Sequence, residues 1–185
     1  MIKRAMPFLM IAVVFLMTSC GTSTSPQSEY ASQLAPALEM LSKFQDHYVK
    51  FESLLTEPVS GAGGSGMSRL DMIELYNLAT EYNITREDYV TLGFMPLDML
   101  VGESNKLARE GTDILAILSD VTPEASVQTI HQAVLQCVQT RVDFAESLAT
   151  SIKNLGPVEL SGDASVCSTF DADLEKITSY VSDNK

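Results

Sequence analysis

The sequence predicts an all-α protein, an antiparallel bundle of about four to six helices. Three observations carry that expectation. Apolar residues recur at steps of three and four over long stretches, no stretch sustains the alternation of a strand, and helix-capping or helix-stopping residues bracket each periodic run.

The clearest helix runs from about Ala31 to Thr56. Leu34, Ala37, Leu41, Phe44, Tyr48, Phe51 and Leu55 share one face of it. Glu39/Lys43 and Asp46/Lys50, acid first and four apart, support the outer face. Pro36 is tolerated only in or near a first turn, which places the helix start just before it. Residues 57–67 contain Pro58 and four glycines and form a loop. Ser68 with Asp71 then reads as a capping box for a helix to about Tyr82. Thr85 and Asp88 repeat the signal for a short helix to about Leu92, which Gly93 ends.

Pro96 opens the next helix at its first turn. Its inner face holds Leu97, Leu100 or Val101, Ser104, Leu107, Gly111, Ile114 or Leu115, and Leu118. A glycine in mid-helix costs about 1 kcal/mol relative to alanine, so Gly111 points to a neighbour that approaches closely. Thr122-Pro123 reads as a cap and first position for a long helix to Leu155, stopped by Gly156-Pro157. Val127, Ile130, Val134, Cys137, Arg141, Phe144, Leu148, Ile152 and Leu155 lie along its inner side. Ser168 with Asp171 caps a last helix carrying Phe170, Leu174, Ile177 and Val181. Residues 31–185 are thus expected to form a single helical-bundle domain with a Gly-rich loop at 57–67.

The first twenty residues read differently. Lys3 and Arg4 precede an apolar run from Ala5 to Met17, about thirteen residues and too short to span a ~30 Å hydrocarbon core. Thr18 and Ser19 lead directly into Cys20. This resembles the bacterial lipoprotein signal peptide with its lipobox, Met17 standing where that class usually has Leu. The resemblance covers residues 1–20 only. It implies a signal peptide over 1–19, acylation of Cys20, and a lipidated N-terminus and tether over 20–30. It also implies a domain held outside the cytoplasm on a bacterial membrane. In a Gram-negative organism that is the outer membrane, because Gly21 is not the Asp that resembles an inner-membrane retention signal. Two or three acyl chains, at roughly 0.8 kcal/mol per buried methylene, anchor such a protein stably.

Removing residues 1–19 takes away Lys3 and Arg4 and no acid, leaving 10 basic residues against 24 acidic ones. So acidic a surface repels phosphate backbones, and no nucleic-acid partner is expected. With Cys20 lipidated, Cys137 and Cys167 remain. Outside the cytoplasm such a pair is expected to be bridged, closing a loop of about 30 residues for roughly 3–4 kcal/mol. The alternative is that Cys137 is simply a small buried hydrophobe.

Few residues suggest chemistry. Gly61 to Gly66 matches G-x-G-x-x-G, but a helix and Pro58 precede it where a dinucleotide site needs a strand, so it reads as a linker. His47 and His131 border apolar stripes. They are either a titrating or metal-binding pair across two helices, or boundary residues satisfied by a carbonyl or water. Phe44 and Gln128 stand three residues before them, which excludes the Glu-x-x-His pattern of di-iron bundles. No metal and no cofactor is expected.

Arg141 interrupts an apolar face, either clamping a carboxylate between helices or snorkelling its head to water. Residues 70–100 carry Met72, Tyr76, Tyr82, Tyr89, Phe94, Met95 and Met99. Tyr76, Tyr89, Phe94 and Met95 suit an adaptable recognition surface as well as a core. No nucleophile elbow or triad is recognisable, so no enzyme is expected. The expected function is a non-catalytic, membrane-anchored envelope lipoprotein whose bundle binds a protein partner as an adaptor, assembly factor or inhibitor. The alternative is a carrier or sensor that holds a small ligand between helices near Arg141.

Replacing Cys20 by Ser tests the anchor: cell fractionation should find the variant unprocessed or released. Normal processing with undiminished membrane retention would contradict lipidation at Cys20.

Overall fold

The computed structural model describes residues 25–60, 66–160 and 165–184. The expected signal peptide, Cys20 and most of the glycine motif (61–65) lie outside these residues. The described chain is helical, with one isolated antiparallel bridge, Pro58 to Ser68, closing the loop between the first two helices.

Helix α1 runs over Pro26–Thr56, capped by the Ser25 hydroxyl with proline in the first turn. It starts five residues earlier than the sequence suggests, so residues 26–30 are helix rather than tether, and Pro36 stands in the helix interior. Tertiary burial explains the difference. Tyr30, Ala31 and Leu34, upstream of the proline, are 2 % exposed or less. Pro36 and Ser32 face solvent, so the Ser32 carbonyl that loses its donor to the proline ring is open to water.

Helix α2 (Arg69–Thr80) and the short α3 (Arg86–Thr91) both begin with the expected capping boxes, Ser68 with Asp71 and Thr85 with Asp88. Gly93, at φ 84°, ends this unit in the left-handed conformation. A 3-10 turn over Met95–Leu97 takes up Pro96, and α4 follows over Asp98–Asp120. Helix α5 spans Gln128–Lys153 and α6 spans Phe170–Asp183.

Two further starts differ from expectation. Thr122-Pro123 belongs to an extended link and turn, and α5 begins only at Gln128, with no side-chain cap. The burial of Val121 and Val127 pins that link against the core and delays the helix. Ser168 bonds back to the Ser165 carbonyl instead of capping with Asp171, and it is Thr169 that reaches Asp173 at 2.7 Å.

α1, α4, α5 and α6 form an up-and-down four-helix bundle in which each packs on two neighbours, in the cyclic order α1–α4–α5–α6. Their directions follow from one end of the bundle. There Tyr30 at the start of α1 meets His131 at the start of α5, while Leu118 from the end of α4 and Tyr180 from the end of α6 touch the same pair. The other end is closed by α2, α3 and the 3-10 turn. Arg69 of α2 donates to the Leu54 carbonyl near the end of α1, and Tyr76 donates to the Ser151 and Gly156 carbonyls at the end of α5. The Asn77 amide pairs with both backbone groups of Val158, at 2.7 and 2.8 Å.

Cys137 and Cys167 are joined as a disulfide with their Cα atoms 5.0 Å apart. The bond ties α5 to the segment that leads into α6. Cys137 is also fully buried, so both readings of it hold together.

Gly111 marks the closest approach in the bundle. A Cβ there would overlap the Val142 Cγ2 of α5 and stand 3.0 Å from the Phe44 ring of α1. Gly102 lies on the same helix with open space around it. The two glycines should therefore respond to alanine with opposite signs. Urea unfolding should show Gly111→Ala destabilised by about 1–3 kcal/mol through overpacking. Gly102→Ala should gain up to about 1 kcal/mol from helix propensity.

Candidate functional site

The structure offers three places where side chains could act on something else. The first is a groove of about 720 Å³ between α1 and α4. His47 sits in its wall with Nδ1 2.7 Å from Glu110 and Nε2 3.2 Å from Glu103. A neutral ring has one N–H and can donate to only one of these carboxylates, whereas a doubly protonated ring donates to both. Lys43, Lys50 and Lys106 share the lining with these acids, so the groove is of mixed charge and widely open.

His131 is far from His47 in role and place. It is 1 % exposed, between the Tyr30 hydroxyl at Nδ1 (3.2 Å) and the Leu118 carbonyl at Nε2 (3.1 Å). A carbonyl only accepts, so Nε2 carries the proton and Nδ1 accepts from Tyr30. Burial lowers the pKa of His131, with the Leu118 bond opposing, which agrees with a neutral ring. The two histidines do not form a pair. His131 is a structural tie between α1, α4 and α5, and His47 links α1 to α4. Among the described residues no group of three or more His, Cys, Asp or Glu side chains is placed to hold a metal ion.

The second place is a cavity of about 520 Å³ beside Arg141, between α1 and α5. Arg141 is 6 % exposed, and its guanidinium lies between two rings, its carbon 3.9 Å from the centroid of Tyr48 and 4.6 Å from that of Phe170. Nη1 donates to the Gln45 side chain, and Nε is buried without a partner. Burial pushes the Arg141 pKa down, while Tyr48, Glu52 and Asp171 oppose the shift. The same burial raises the pKa of the Tyr48 hydroxyl, with Glu52 adding to it. No described carboxylate lies within ion-pairing distance of this arginine. Its head does not snorkel. The aromatic sandwich holds it inside.

The third place is the outer surface of the α2–α3 unit. The sequence points to Tyr76, Tyr89, Phe94 and Met95 here, and the structure divides them. Tyr76, Tyr89 and Phe94 pack ring against ring with centroids 5.5–5.9 Å apart and are 5 % exposed or less, so these three are core and not a recognition surface. Their packing follows from the polar ends: Tyr89 donates to Asp98 at 3.0 Å, and Arg86 holds the same carboxylate while covering the Tyr89 ring. Burial pushes the Tyr76 hydroxyl up to about 12. Met95, by contrast, is 55 % exposed.

The exposed partners of Met95 are residues the core reading passes over. Leu75, Leu78, Tyr82, Val90, Leu92 and Met99 are all 47 % exposed or more. Leu75 and Leu78 lie three apart on the side of α2 opposite Met72, Ile73 and Tyr76, and Tyr82 follows in the turn after the helix. Tyr82 and Leu92 line a shared hollow with Ile84. That second period within α2 was the available signal, and it is visible only once the first face is known to be buried.

No family model matches this chain, and comparison with curated proteins and with solved structures finds no match. No described helix is long and apolar enough to cross a membrane.

Proposed function

We propose that this is a non-catalytic bacterial lipoprotein, anchored through Cys20, whose helical bundle presents the outer face of α2–α3 to a protein partner. One observation carries the reading. Of nine large hydrophobic side chains that the described chain leaves exposed, seven fall between residues 75 and 99. Exposed apolar side chains scattered singly need no explanation, but a concentration on one small unit marks an interaction surface.

Geometry favours a protein over the bilayer as the occupant. Ser25, the residue nearest the anchor, caps the start of α1, and α2–α3 closes the opposite end of the bundle. A helix of 31 residues is about 46 Å long. Five residues from Cys20 to Ser25 reach at most about 18 Å. A domain standing on that tether carries its apolar face outward, away from its own membrane.

The fringe of the face is acidic, with Asp71, Glu74, Glu81 and Glu87 exposed around it. Anionic headgroups are repelled by such a fringe. A partner with an apolar helix face and basic flanks is complementary to it.

The double variant Leu78→Asp/Tyr82→Asp tests this. Both side chains are exposed, so the unfolding free energy should change little, within about 0.5 kcal/mol. In detergent-solubilised membranes, native gels should show the wild type in a complex well above the mass of the mature chain alone and the variant released from it. A wild type that migrates alone, or a variant that stays in the complex, would contradict the reading.

A further inference from the structure

The cavity beside Arg141 exists because the fourth helix is short. α6 has 14 residues, against 31 in α1 and 26 in α5, and so covers only part of the seam between them. Where α6 begins, at Phe170, the seam opens, and Arg141 stands at that edge. The nine exposed hydrophobics divide accordingly. The two that lie outside residues 75–99, Val49 and Leu160, both line this cavity, with Leu70 of α2 and Phe144 of α5 completing an apolar wall.

A cation buried to this degree is costly unless an anion accompanies it. The two aromatic faces and Gln45 offset part of that cost, yet Nε has no acceptor and no described carboxylate closes on the guanidinium. Glu52 and Asp171 also line the cavity without reaching ion-pairing distance. The volume of about 520 Å³ lies in the range of small-molecule sites. The larger groove at His47 lacks this combination, since its histidine is already engaged by two acids.

We infer that the open seam between α1 and α5 is a binding site for a small amphipathic monocarboxylate, its carboxylate on Arg141 and its apolar chain against Val49, Leu70, Phe144 and Leu160. The site is on the side of the bundle and independent of the α2–α3 face, so it stands or falls apart from the partner reading.

Calorimetric titration of the disulfide-bonded mature chain with decanoate, and with decanol as the uncharged probe, decides it. Decanoate should bind at one site, and decanol at least about ten-fold more weakly, because a charge-assisted bond is absent. Arg141→Met should abolish that preference, and Leu160→Asp should weaken decanoate without touching the guanidinium. If Arg141→Met fails to fold, the pair Glu52→Gln/Asp171→Asn decides instead. Removing two nearby negative charges should tighten decanoate by about three-fold or more. Equal binding of decanol, unchanged binding in either test variant, or no binding of decanoate would overturn the assignment. So would a peptide C-terminus that binds where decanoate does not.

Discussion

The missing side chain at Gly111 sets the spacing on which the rest of the bundle depends. Phe44 of α1 and Val142 of α5 both press against the α4 backbone at that point, and any Cβ would force one of them away. With α4 drawn in so closely, its seams with α1 and α5 are filled by Leu34, Leu41, Phe51, Leu107, Ile114, Val138 and their neighbours, all essentially without exposure. α2 and α3 do not enter these seams. They lie across the end of the bundle, where each can bury one face only. The inner face takes Tyr76, Tyr89 and Phe94, and the outer face keeps its apolar residues in water. The proposed partner surface is in this sense a consequence of how tightly the remainder packs.

The same logic applies on the side of the molecule. α6 is held in place by the disulfide at Cys137 and by Phe170 on the guanidinium of Arg141. Below that point α1 and α5 wall a recess, with Leu70 and Leu160 at its margins. A shorter fourth helix therefore creates a recess, and an arginine at its margin gives the recess a sign. The disulfide bears on that margin directly, since Cys167 also lines the cavity.

Much of this was legible in the sequence. The inner face of α4, with its small residues Ser104 and Gly111, reads off directly, as do both capping boxes and the cysteine pair. Local signals failed where tertiary burial outweighed them. Pro36 forbids a helix locally, yet burying Tyr30 and Leu34 extends α1 past it. Thr122-Pro123 invites a helix locally, yet Val121 and Val127 hold that link in the core. At the candidate sites the residue types were informative and the directions were not. Tyr76 and Tyr82 are equally attractive in sequence, and only the hydrogen bonds of Tyr76 to the end of α5 decide which one turns inward. Arg69 gave no signal at all, because its role depends on the Leu54 carbonyl fifteen residues earlier.

The central claim is that the end of the bundle formed by α2–α3, and not its flank, meets another protein. A photoreactive amino acid placed at Leu78 or Leu92, and as a control at the exposed Glu175 of α6, tests this in intact cells with the native anchor in place. One discrete protein adduct, the same from positions 78 and 92 and missing from 175, is the predicted result. Adducts of equal yield from all three positions, or adducts to lipid from 78 and 92, would contradict it.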